Sequence, residues 1–198
     1  QVRGLPVDLI YRDLEALAAT VTACQSGQIT VDYQPGHPHA FVSSTWMAEL
    51  ALCQPLYDPH GRLGGLKARC APYPPALRQA IIYHLWWEAA FSLRIAAKGA
   101  QRTDPSYVAG CCYRAVACLL QTLFALNDTY WMNEKGALQL AATFACAPAD
   151  LRPRVEAAFT GLRGDAESLH ATVAALGALV DETDRLVQRA AQEAPGPR

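Results

Sequence analysis

Tyr107, Arg114, Gln121 and Asp128 recur every seven residues, the first three within a near-apolar run from Pro105 to Asn127 and the last just past its end. A seven-residue spacing returns to nearly the same side of an α-helix, with a drift of about 20° per heptad. The four residues therefore form one polar stripe on a helix. Gly110, Cys111, Ala117 and Cys118 flank it, and their small size lets a neighbouring helix or a ligand approach closely. Two roles are open to Arg114. It is a cation paired with Glu88 of the preceding helix, since an unpaired buried charge is costly, or it lines a cleft and meets an anionic ligand. Tyr130, Asn133, Glu134 and Lys135 stand where this helix ends and the next begins. There side chains and free backbone N–H groups can converge on an anion. Lys135 is the best single phosphate ligand of the group, and a solvated first-turn lysine is its alternative.

Other constellations carry less. His37, His39 and His60, with Asp58 nearby, bring metal ligands to mind. Zinc normally takes three or four ligands at recognisable spacing, and the proline between His37 and His39 gives the two no common face. Arg78 and His84 resemble the Arg-then-His spacing of helical ribonucleases of the HEPN type, but six positions turn a helix through about 600°, which points the two to different faces. Trp86, Trp87 and Phe91 lie in an apolar helix without basic neighbours, and are assigned to packing rather than to base stacking. The chain contains no phosphate-cradling glycine loop, nucleophile elbow or GxGxxG.

The elements that must position these residues are mostly helices. Of 198 residues 52% are hydrophobic and 18% charged, and 17 Lys and Arg against 18 Asp and Glu leave a net charge of −1. Disorder and a charge-driven grip on nucleic acid are both disfavoured by that balance. The longest apolar stretches are broken by Arg114 or by His84 and Glu88, so no membrane-spanning segment is expected. Seven cysteines without a CxxC pair read as reduced thiols, which fits the cytoplasm. Residues 7–11 read as a short strand containing Asp8, and a helix follows from Leu14 to Cys24 with Asp13 as N-cap and Gly27 as its stop. Residues 29–33 read as extended, 34–39 as a loop and 41–53 as a helix. Beyond the turn at 55–61 everything is helical: 63–70, 76–98 with Pro75 in its first turn, a helix opened by Asp104-Pro105 and reaching Leu126, then 134–145, 149–161 and 165–192.

Four segments in order resemble a known family: Pro6-Val7-Asp8-Leu9-Ile10-Tyr11-Arg12-Asp13, His37-Pro38-His39-Ala40-Phe41-Val42-Ser43, Pro55-Leu56-Tyr57-Asp58-Pro59-His60-Gly61, and Phe124 to Tyr130 with Asn133-Glu134-Lys135. Over roughly residues 2–145 the chain is similar to bacterial nucleotidyltransferases of the DNA polymerase β superfamily. In the closest members a minimal catalytic domain is followed by a helical domain of unknown function, a layout like that of aminoglycoside nucleotidyltransferases. The resemblance implies a mainly α fold: a small α/β remnant of the nucleotidyltransferase domain at 1–58, a helical substrate- or partner-binding domain at 59–192, and a disordered tail at 193–198. It further implies transfer of a nucleoside monophosphate from an NTP, ATP above others, to an unknown acceptor such as an aminoglycoside, a protein side chain or an RNA end. Asp8 matches the family's third carboxylate, a metal ligand or base, while Arg114, Gln121, Tyr130, Asn133 and Lys135 are the expected nucleotide- or substrate-binding residues. Asp8, Tyr130 and Lys135 are then expected on one shared cleft.

The Gly-Ser motif and the Asp-x-Asp pair of that family are absent. Two Mg²⁺ ions on a triphosphate need several carboxylate oxygens, and a single Asp does not hold both. The chain alone is therefore expected to be inactive, with the catalytic half supplied by an amino-terminal segment of roughly 70–100 residues. The alternative from another class is a non-catalytic helical interaction module or HEPN-like partner, able to form a homodimer. The stripe Leu169, Val173, Leu176, Val180 and Leu186-Val187 in 165–192 would serve such a contact, or would close the chain's own bundle.

Overall fold

Asp13 begins the first helix as its spacing predicts. Its carboxylate accepts a hydrogen bond from the Ala16 N–H at 2.8 Å, and α1 runs Leu14–Gln25. The computed structural model describes residues 3–34 and 36–193, among which eight helices and one two-stranded sheet are found. The fold is mainly α with a small sheet. After α1 come β1 (Val31–Asp32), β2 (Phe41–Val42), α2 (Ser44–Leu52), α3 (Arg62–Ala68), α4 (Pro75–Gln101), α5 (Pro105–Leu126), α6 (Ala137–Ala141), α7 (Leu151–Gly161) and α8 (Ala166–Glu193).

Two expectations are corrected near the amino terminus. Residues 6–13 form no strand and are exposed throughout. A lone run of apolar residues has no ladder for its N–H and C=O groups, so it stays irregular without a partner strand. Phe41 and Val42 do not open a helix; they pair antiparallel with β1, in the register Val31↔Val42 and Asp32↔Phe41. Aromatic and β-branched residues favour that choice. Ser43 then fixes the junction, since its Oγ accepts from Thr30 N–H and its own N–H donates to Thr30 C=O, each at 3.0 Å.

The body of the molecule is the pair α4 and α5, crossed by α8 and closed by α7. Asp104 caps α5 by accepting from Tyr107 N–H at 3.1 Å, with Pro105 at the first helical position. α5 is long and apolar enough to cross a membrane, yet 72% of its most apolar window is buried inside the bundle. That apolarity is what a helix covered on several sides requires. Leu85, Leu123, Leu169, Leu176 and Leu179 are fully buried where α4, α5 and α8 meet. The α8 stripe thus closes the chain's own bundle, with Val173 and Leu186 packed partly buried against the core. α8 continues to Glu193, and the rest of the expected tail lies outside the described residues.

Trp87 and Phe91 are corrected as well. They are 51% and 43% exposed and pack on each other, ring centroids 5.7 Å apart, instead of entering the core. Trp86 is partly buried.

Candidate functional site

The polar stripe of α5 faces α4. Tyr107 lies so close to Gly99 that a Cβ there would stand 2.9 Å from Tyr107 Cδ1. Two turns on, Arg114 Nε bonds Glu88 Oε1, and past the end of α5 Asp128 Oδ1 accepts from Arg78 Nε at 2.8 Å. As the α5 numbers rise, the α4 numbers fall, which is the pattern of an antiparallel pair. Gln121 is buried in the same helix. Tyr107, Arg114 and Asp128 therefore follow the seam between two helices, and Arg114 takes the paired role. Asp128 reaches Arg78 from a left-handed backbone (φ +50°), just beyond the helix end where such a conformation is common.

The loop before β2 folds back over this seam. His39, whose side chain is 4% exposed, brings Nε2 to 3.3 Å from Cys118 Sγ and 3.9 Å from Glu88 Oε1. His37 Nδ1 lies 3.5 Å from Glu134 Oε2. Burial holds the His39 imidazole below its ordinary pKa of 6.5, against the opposing pull of Glu88. Burial likewise pushes the Cys118 thiol up, helped by the Glu88 charge. All seven cysteines are free.

Beside this loop lies a cavity of about 510 Å³, whose walls include Ile10, Arg12, His37, Glu49, Asn133 and Lys135. Arg12 ties the amino-terminal segment to α2, with Nε 3.1 Å from Glu49 Oε2, NH2 3.0 Å from Oε1, and its guanidinium 5.5 Å from the Trp46 ring. The Asn133 side chain accepts from Lys135 N–H at 2.9 Å, which shapes the turn before α6. Lys135 itself is exposed and, among the described residues, makes no ion pair. Its ammonium is thus available to an anion in the cavity.

The other expected residues fall elsewhere. Tyr130 donates its hydroxyl to Cys70 C=O at 2.6 Å and packs at a tilt against Tyr73, ring centroids 4.7 Å apart. It lines a separate cavity of about 460 Å³ with Lys67 and Asp128. Burial raises its pKa, so the phenol stays protonated as a donor. Lys67 also serves structure, donating to Ala51 and Cys53 C=O at 2.7 Å each and satisfying carbonyls left over at the end of α2. Asp8 is exposed and lines neither cavity. The cavity thus joins Asn133 and Lys135 but leaves Asp8, Arg114, Gln121 and Tyr130 outside its wall.

Of the residues weighed for a metal, Asp58 is spent on the turn before α3. Its Oδ2 accepts from Gly64 N–H at 2.7 Å, and that bond lowers its pKa. His60 is exposed, as is His84, while Arg78 is held by Asp128. Sequence reasoning missed the group that does converge: His39 with Glu88 and Cys118, whose ligand atoms all lie within 4.8 Å of one another. They are 49 and 79 positions from His39, and no local spacing announces them.

Residues 41–135 match a family described as a domain of unknown function, DUF4037. The matched stretch runs from β2 through α5 to Lys135, so it spans Glu88, Arg114 and Cys118 and ends at the cavity. The resemblance implies a helical domain of unknown function at 59–192, which the match overlaps only in part, and the family description names no nucleotidyl transfer. No curated protein and no solved structure matches the chain.

Proposed function

We propose that this chain is the helical, ligand-holding part of a nucleotidyltransferase, which alone binds a nucleotide or its acceptor without transferring it. The observation that carries the reading is the 510 Å³ cavity, whose wall joins Asn133 and Lys135, the latter without an ion pair among the described residues, to Ile10, two residues after Asp8. In an extended chain, alternate residues share a side, so pairing of residues 7–11 with a further strand would turn Asp8 toward Ile10 and Arg12. The exposed apolar residues of that run, Val7, Leu9, Ile10 and Tyr11, suit such strand addition.

The donor set does not fit the two Mg²⁺ ions that nucleotidyl transfer uses. Glu49 and Glu134, the carboxylates in the cavity wall, are already held by Arg12 and His37, which leaves Asp8 alone. No transfer step is therefore assigned to this chain. What its own residues do is bind: Lys135 neutralises an anionic group, Asn133 orients it, and Ile10, Pro38, Phe41 and Met132 cover an organic ring.

A second reading rests on α4. Tyr83, Trp87 and Phe91 are exposed at four-residue spacing and form an aromatic stripe of the kind found at protein contacts. It supports the helical interaction module.

Calorimetric titration of the chain with ATP and Mg²⁺ separates the two. Saturable binding that weakens about tenfold in Lys135→Ala, the size of one charge-assisted contact, supports the ligand-holding reading. Absence of binding, or binding indifferent to Lys135, favours the interaction module.

A further inference from the structure

We propose that His39, Glu88 and Cys118 form a binding site for one Zn²⁺ ion, with His39 Nε2, Cys118 Sγ and one Glu88 carboxylate oxygen as ligands. The three come from three elements: the loop before β2, the middle of α4 and the middle of α5. Their ligand atoms all lie within 4.8 Å of one another, close to the spacing of ligands around a common ion. Zinc–ligand bonds of about 2.0–2.3 Å at tetrahedral angles place nitrogen and sulfur about 3.6 Å apart and nitrogen and oxygen about 3.4 Å apart. The observed separations from His39 Nε2 are 3.3 Å to sulfur and 3.9 Å to oxygen. Small side-chain rotations close the difference.

The donor types select the metal. A thiolate, an imidazole and a carboxylate together suit Zn²⁺, whereas Mg²⁺ and Ca²⁺ take oxygen ligands. The group is enclosed, with Cys118 fully buried and the Glu88 and His39 side chains at most 10% exposed. Around it, Arg114 bonds Glu88 Oε1, a partner of the kind that orients a ligating carboxylate from outside the coordination sphere. Three protein ligands leave a fourth position for water.

On binding, the Cys118 S–H bond breaks heterolytically; its electron pair goes to Zn²⁺ and its proton to the solvent, with no change of oxidation state. The ion then fastens His37-Pro38-His39 to the α4–α5 pair. Because His37 and Pro38 line the 510 Å³ cavity, zinc sets the position of one cavity wall. The site stands whether or not that cavity holds a nucleotide.

The full chain, stripped of metal with a chelator under reducing conditions, tests the site by titration with Co²⁺ and then with Zn²⁺. The expected result is one equivalent of Co²⁺ with a sulfur-to-cobalt charge-transfer band and tetrahedral d–d bands, displaced by one equivalent of Zn²⁺, and release of one proton from Cys118 measured with an indicator dye. Cys118→Ser abolishes the charge-transfer band. His39→Gln weakens binding by more than about 100-fold, beyond what loss of an outer partner costs. Cys146→Ser leaves both unchanged. Failure of the wild-type chain to take up either ion, or a charge-transfer band that survives in Cys118→Ser, overturns the proposal. Circular dichroism of each variant before titration shows that it is folded, and the wild-type result decides the matter if one is not.

Discussion

Arg114 and Glu88 join a guanidinium that is 58% exposed to a carboxylate that is 10% exposed. The pair is therefore asymmetric: water supports the cation, while the anion depends on its partner. Removing the arginine strands a nearly buried charge; removing both charges does not.

Arg114→Met is accordingly expected to cost about 1–3 kcal/mol, the penalty of an unsatisfied buried acceptor. Arg114→Met with Glu88→Gln is expected to recover much of it, since the stranded charge is gone. Urea unfolding of the two single variants and the double variant measures the coupling. Additive losses would mean that the contact contributes nothing.

The helix seam makes a second prediction. Gly99→Ala puts a Cβ 2.9 Å from Tyr107 Cδ1 and 3.1 Å from Val108 Cγ2, and overpacking of this kind costs about 1–3 kcal/mol. Tyr107→Ala vacates the space at one side, so Gly99→Ala is expected to cost less in that background. Thermal unfolding midpoints of the four combinations check it; equal costs in both backgrounds would place the clash elsewhere.

Much of the scaffold is legible in the sequence because its signals are local. Asp13 and Asp104 sit one residue before helices and cap them, and Pro75 and Pro105 occupy first turns, so those boundaries follow from chemistry within a few positions. The heptad stripe of α5 is equally visible, and pairing with Glu88 is one of the two roles its Arg114 presents. That Tyr107 and Asp128 follow the same seam depends on Gly99 and Arg78, which only the antiparallel return of the chain brings opposite. Residues 7–11 mislead for the opposite reason. Their strand-like pattern is local, but a strand exists only with a partner, and none is present among the described residues. The group around His39 leaves no local trace, since its members meet through packing alone.

Acid is expected to weaken the fold in two stages. The His39 pKa is held down by burial, so below its ordinary 6.5 the unfolded chain takes up a proton that the folded chain refuses. Stability therefore falls as pH drops from 6.5 toward the folded value. The Glu182 pKa is lowered chiefly by its hydrogen bonds from Arg154, so its contribution is full above its ordinary 4.5 and is lost as pH falls from there toward its folded value. With both side chains about a third exposed, that second contribution is about 1 kcal/mol or less. Urea midpoints across a pH series, in the presence of a chelator, check both. His39→Gln is expected to flatten the slope just below 6.5, and Glu182→Gln the slope below 4.5; unchanged slopes would remove these groups from the linkage.

The most direct measurement is a nuclear magnetic resonance titration of the ¹⁵N-labelled chain with ATP and Mg²⁺, with pyrophosphate followed in the same tube. The ligand-holding role predicts saturable shifts centred on His37, Asn133, Glu134 and Lys135, with no pyrophosphate released. Absence of shifts around that cavity, or steady release of pyrophosphate by this chain alone, would contradict it.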